Sequence, residues 1–74
     1  MQEHIIEIDA RDLEPPQPLM KILETVASLP PDTTILARTR WRPALLYTQL
    51  DERGFSGESQ EQPDGSYITH IHRR

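Results

Sequence analysis

Apolar and polar residues alternate at the start of the chain and then change period. In His4-Ile5-Ile6-Glu7-Ile8-Asp9, Ile6 and Ile8 share one side of an extended strand with His4. Ile5, Glu7 and Asp9 take the other side, so the spacing predicts a half-buried strand. Ala10–Glu14 read as a polar turn, and Pro15-Pro16-Gln17-Pro18 follows. Proline lacks a backbone N–H and holds φ near the helical value, so it suits the start of a helix. Leu19, Ile22, Leu23 and Val26 then recur at i, i+3, i+4 and i+7, the stripe of an amphipathic helix. This predicts a helix from about Pro16 to Ser28, with Leu29 closing the stripe and Pro30-Pro31-Asp32 preventing continuation.

Thr33–Thr39 is rich in β-branched residues and reads as a second strand. Arg40-Trp41-Arg42 leads out of it, and Pro43 marks a second helix start. Leu46, Tyr47 and Leu50 supply its inward stripe, with Leu45 beside them. Gly54 stands where a left-handed residue ends a helix, with Phe55 placed to fold back on the last turn. Phe55–Gln62 is polar, as edge strands often are. Pro63-Asp64-Gly65 is a turn signature, and Ser66–His72 returns as a fourth strand. Its alternation sets Tyr67, Thr69 and Ile71 on one face and Ile68, His70 and His72 on the other.

The order β-α-β-α-β-β predicts an α/β two-layer sandwich in one domain, residues 1–74, with a four-stranded mixed sheet and both helices on one face. The strand-helix-strand connections imply parallel neighbours with right-handed crossovers, and the closing hairpin must be antiparallel. Ile6, Ile8, Ile35 and Ile71 are expected to be the best-protected amides. The uncovered face, carrying Ile5, Ile68, His70 and His72, should meet solvent or another chain, and is a candidate surface for a weak homodimer.

Composition narrows the function classes. A chain of 74 residues with 35% hydrophobic residues must build a compact core without staples, because it contains no cysteine. That absence excludes disulfides, thiolate metal sites, thiol nucleophiles and persulfide carriers. No apolar run approaches the roughly 20 residues of a membrane span. Met1–Ala10 does not read as a signal peptide, since Glu3, Glu7 and Asp9 interrupt it. A cytoplasmic domain with no membrane partner is expected. Twelve acidic against eight basic residues leave a net charge of −4, so nucleic-acid binding, which rests on neutralising phosphates, is disfavoured.

The stretch from Asp9 to Met20 resembles the start of a TusA/SirA-like sulfur-carrier domain. In that family a strand ends in an acidic residue and a Leu-x-Cys-Pro-x-Pro motif opens the first helix. Leu13 matches the leucine, and Pro16 and Pro18 match the prolines, but Pro15 occupies the cysteine position. The Leu-Glu-Pro-Pro-x-Pro form, the Leu29-Pro30-Pro31 turn and the Glu52-Arg53-Gly54-Phe55 helix ending resemble a cysteine-free, uncharacterised sister family, found alone and fused to hemerythrin-like modules. The resemblance implies a TusA/SirA-like fold. It does not carry sulfur transfer over, since that chemistry needs a thiolate and Pro15 offers none. What it leaves is the surface around the former thiol, for docking.

Ligands of open α/β sheets favour the carboxyl ends of parallel strands. Here that edge is expected to gather Glu14, Pro15, Pro16 and Pro18 with Arg40, Trp41 and Arg42. Prolines remove donors from the first helix start and Glu14 adds negative charge, so an anion would favour the second helix start, just after two arginines. The competing reading packs Trp41 against the domain edge and pairs both arginines with Asp9, Asp12 or Glu14. His70 and His72 face the same way on a strand, but two ligands do not complete a zinc site. They also lie near a terminus expected to fray. No nucleophile triad or carboxylate pair stands out, and neither enzyme chemistry nor a cofactor is expected. Two readings follow. One is a non-catalytic module that docks a protein partner through the proline-motif edge or the bare sheet face. The other is a small-ligand or anion-binding module using Arg40, Trp41 and Arg42. A further likeness in fold, to the C-terminal domain of a bacterial translation initiation factor, makes RNA a distant third.

Overall fold

Six elements follow one another along the chain: β1 (His4–Asp9), α1 (Gln17–Ala27), β2 (Thr33–Thr39), α2 (Ala44–Glu52), β3 (Phe55–Glu61) and β4 (Tyr67–Arg73). The computed structural model describes residues 4–74; Met1–Glu3, and with them Glu3 of the acidic start, lie outside the described residues. Each element falls within a residue or two of its expected bounds. Pro16 and Pro43 stand immediately before α1 and α2 and make no side-chain cap. Gly54 takes φ +79° after α2, the left-handed value expected there, and Gly65 takes φ +87° in the last turn.

The strands form one sheet in the order β1-β2-β4-β3. β1 and β2 are parallel, with Ile6 opposite Ile35 and Asp9 opposite Arg38. β4 runs antiparallel to both β2 and β3. The expectation of parallel neighbours therefore holds for the first crossover and fails for the second. β4 enters between β2 and β3, where its apolar residues gain partners on both sides. This also makes β1 an edge, so Ile6 and Ile8 are not in the sheet's centre; β2 and β4 are. The polar β3 is the other edge, as expected.

One sheet face carries the core. Ile8, Ile35, Ala37, Phe55 and Ile71 pack with Ile22 and Val26 of α1 and Leu46 and Leu50 of α2. Leu46 and Leu50 are the buried stripe of α2, whereas Leu45 is turned outward at 74% exposure. A polar link crosses the α2–sheet contact. The Tyr47 hydroxyl donates to Ser59 Oγ, which lies 2.7 Å from Thr69 Oγ1. On the other face Ile5 is 58% exposed and Ile68 and His70 are half-buried, as the alternation required. The end of β4 is tied to the rest of the domain. Arg73 donates to the Leu29 carbonyl at 2.6 Å and stacks on Phe55 at 4.9 Å, and the Arg74 N–H bonds Gly54 O at 3.1 Å.

Candidate functional site

Because β1 and β2 are parallel, their carboxyl ends meet at one edge of the sheet, and two loops leave it toward the helices. The first is pinned by backbone bonds: the Ala10 N–H to Arg38 O at 2.8 Å, Leu13 N–H to Ala10 O at 3.2 Å and Gln17 N–H to Glu14 O at 2.9 Å. Ala10 is buried and Leu13 packs partly against the core, so the prolines that follow are anchored from behind. The second loop is held as firmly. The buried Thr39 hydroxyl donates to the Trp41 carbonyl at 2.6 Å. The Ala44 N–H bonds Arg42 O at 2.9 Å and the Leu46 N–H bonds Pro43 O at 3.0 Å.

Between the two loops lies an apolar groove of about 300 Å³. Pro15, Pro16 and Pro18 form one wall with Leu19, while Trp41, Arg42, Pro43 and Leu45 form the other, over a floor that includes Ile22 and Leu46. Trp41, in the groove lining, is 54% exposed. The groove thus unites five of the seven residues expected at this edge: Pro15, Pro16, Pro18, Trp41 and Arg42.

Arg40 is not among them. It lines a separate, polar cleft with Arg11, Asp12 and Asp64. Glu14 is exposed and precedes the first groove proline in sequence. Arg42 turns the other way from Arg40 and lays its guanidinium over the Tyr67 ring, 5.7 Å from the centroid. The two arginines therefore do not converge on one anion. Nor do they pair with Asp9, Asp12 or Glu14: among the described residues, the ion pairs are Arg11 with Asp9 and Asp64, and Arg74 with Asp51.

Arg11 is the residue that the sequence pattern did not single out. It holds both Asp9 oxygens, at 2.9 and 2.7 Å, while its own N–H bonds Asp9 Oδ1 at 3.2 Å. These bonds to its side chain and backbone pull the Asp9 carboxyl down to about 2 from its usual 3.8, and Asp9 in turn raises Arg11. Asp64 is lowered chiefly by hydrogen bonds from the Ser66 hydroxyl and N–H. The signal for this knot was the Asp9-Ala10-Arg11 spacing, which allows a carboxylate to fold onto the N–H two residues on. A shallow hollow on the open sheet face, lined by Glu7, Asp9, Leu36, Arg38 and Ile68, completes the polar side of this edge.

His70 sits opposite Glu58 and Leu36 on the open face, and His72 opposite Ser56. Among the described residues, no group of three or more His, Cys, Asp or Glu side chains is placed to hold a metal. No helix among them is long and apolar enough to cross a membrane.

No curated protein and no solved structure matches the chain. Residues 7–73 match a family profile described as an uncharacterized conserved protein, and that span runs from the middle of β1 to the end of β4, taking in both loops of the groove; the chain belongs to the DUF2249 family.

Proposed function

We propose that this domain is a non-catalytic protein-interaction module, which docks a partner in the groove between its proline motif and the start of α2. The observation that carries this reading is the groove itself. Its walls are proline, leucine and tryptophan, and its mouth leaves Trp41 and Leu45 largely in water. Apolar side chains gathered in a groove, rather than scattered singly over the surface, suit a contact site. The resemblance to TusA/SirA-like carriers supports the same place, since Pro15 stands where those relatives bear their cysteine. The scaffold would keep their docking edge without the sulfur chemistry, and fusion of the sister family to hemerythrin-like modules fits a domain that works by contact.

The anion-binding alternative draws less support. Arg40 and Arg42 diverge, and the N–H groups of Ala44 and Leu46 at the start of α2 are already taken by backbone carbonyls.

The test is affinity capture from native lysate with wild type, Trp41→Ala and His70→Ala/His72→Ala chains side by side. A partner kept by wild type and the histidine variant but lost by Trp41→Ala supports the reading. The loss should be at least about 1–2 kcal/mol, the scale of an interface hot spot. Trp41 is 54% exposed, so its removal should leave the fold intact by circular dichroism. Loss in the histidine variant with retention in the Trp41 variant would move the site to the open sheet face.

A further inference from the structure

The groove also carries information about its occupant. Four of its lining residues, Pro15, Pro16, Pro18 and Pro43, have no backbone N–H to offer. Several nearby donors are spent: Ala44 N–H on Arg42 O, Leu46 N–H on Pro43 O, and the Thr39 hydroxyl on Trp41 O. Few backbone donors are left to meet a polar group entering the groove, which shifts that task to side chains. The one charged side chain in the lining is Arg42. Its guanidinium lies over the Tyr67 ring, 5.7 Å from the centroid, and a face-on contact of this kind does not consume N–H donors. Among the described residues it has no carboxylate partner, while Asp9, Asp64 and Asp51 have theirs.

An apolar slot bordered by an arginine that has no carboxylate partner suits an occupant that is apolar and anionic together. Arginine prefers carboxylate, which it meets through two parallel N–H bonds. With Trp41 and Leu45 largely in water at its mouth, the groove of about 300 Å³ leaves much of an occupant exposed, unlike the cavities that enclose most of a small molecule's surface, which favours a chain segment. Other charges limit the pattern. Glu14 borders the Pro15 end, Asp12 and Asp64 line the next cleft, and the domain carries net −4. A run of acids would be repelled, so the carboxylate must be local to Arg42.

Resting on the docking reading above, we infer that the groove binds a peptide segment in which one Asp or Glu stands within a few residues of a bulky apolar side chain. The apolar side chain enters between Trp41 and the wall of Pro16 and Pro18, and the carboxylate pairs with Arg42.

The experiment selects a phage-displayed library of random dodecapeptides on the full chain, with Trp41→Ala as the subtractive control. The enriched peptides should combine a Leu, Ile, Phe, Trp or Met with a nearby Asp or Glu. One of them, synthesised with a fluorescein label, should lose about tenfold or more in affinity for Arg42→Gln, the scale of a hydrogen bond to a charged group. Selection on Arg42→Glu should turn to peptides bearing Lys or Arg. Amide spectra of each variant confirm that it folds. Enriched apolar peptides without an acidic bias, or equal affinity for Arg42→Gln, would overturn the inference while leaving the docking reading standing. No enrichment over Trp41→Ala would overturn both. Sedimentation of the wild type as a dimer and of Trp41→Ala as a monomer would assign the groove to a second copy instead, and also overturn it.

Discussion

Gly57 marks a close approach of α2 to the sheet, and replacing it with alanine should be costly. It pairs with Ile71 across the β3–β4 ladder and lies beneath Leu50 and Tyr47. An added Cβ would sit 2.8 Å from Leu50 Cδ1, 3.5 Å from Thr69 Cγ2 and 3.7 Å from Tyr47 Cδ1. The first distance is well inside the roughly 3.5–4.0 Å at which carbon atoms attract. The colliding methyl is the far end of a side chain, but Leu50 is 0% exposed, so it can only move by displacing other core residues. Overpacking of this kind costs about 1–3 kcal/mol. Alanine returns about 0.4–1 kcal/mol by restricting the unfolded chain. Gly57→Ala should therefore destabilise by about 1–2 kcal/mol, read as a fall in Tm of roughly 5–15 °C for a domain of this length. Thermal circular dichroism gives the Tm, and urea unfolding gives the midpoint at unchanged slope. Leu50→Val trims the obstructing branch, so it should cost less in the alanine background than alone, with a coupling of at least about 0.5 kcal/mol. A Gly57→Ala chain as stable as wild type, or strictly additive changes in the double variant, would refute the claim that the α2–β3 approach requires glycine.

Other consequences follow from the same geometry. Tyr47→Phe removes the donor to Ser59 while leaving the ring in place, and should cost about 1 kcal/mol in urea unfolding, the net worth of one such bond. Hydrogen exchange followed by NMR should find the slowest strand amides in β2 and β4, and faster exchange in β1 and β3, because edge strands open before central ones. The Asp9 carboxyl should titrate near 2 by carbon NMR, and return toward 3.8 in Arg11→Ala. Since its folded value lies below the unfolded one, its contribution to stability is present above about pH 4 and fades as the pH falls toward 2. An acid-unfolding profile unchanged by Arg11→Ala over that window would show that the pair contributes nothing.

Local chemistry made most elements readable. Proline before each helix, the Leu19-Ile22-Leu23-Val26 stripe, the β-branched run Thr33–Thr39 and the glycines at 54 and 65 each act over a few residues, so their effect survives whatever the rest of the chain does. The position of β4 was harder to read. Tyr67–His72 announces a strand, but which strands flank it depends on pairings far apart in sequence, and only the polarity of β3 hinted that something more apolar must lie inside it. The groove divided in the same way. Pro15, Pro16, Pro18 and Trp41 came together because both loops leave the same sheet edge. The parting of Arg40 and Arg42 was set by how the Thr39 hydroxyl and the Ala44 N–H bend the intervening loop, a detail that residue order does not encode. Leu45 was expected beside the buried stripe, and its outward turn follows from α2 presenting Leu46 and Leu50 to the sheet.

The insertion of β4 between β2 and β3 has a consequence for how the chain is made. During synthesis β1, α1 and β2 emerge first and can form a parallel pair with its crossover helix, and α2 and β3 follow, but β3 then has no strand beside it. The last strand in sequence is the keystone of the sheet, and until it arrives the Ile35 and Phe55 sides of the future core have nothing to join them. A nascent chain halted before Asp64 should be protease-sensitive throughout α2 and β3, and extension through the eleven residues Asp64–Arg74 should convert it to the resistant form in one step. The α2 wall of the groove would then become ordered only when that segment docks, because Arg42 rests on Tyr67 and α2 rests, through Ser59 and Thr69, on β4.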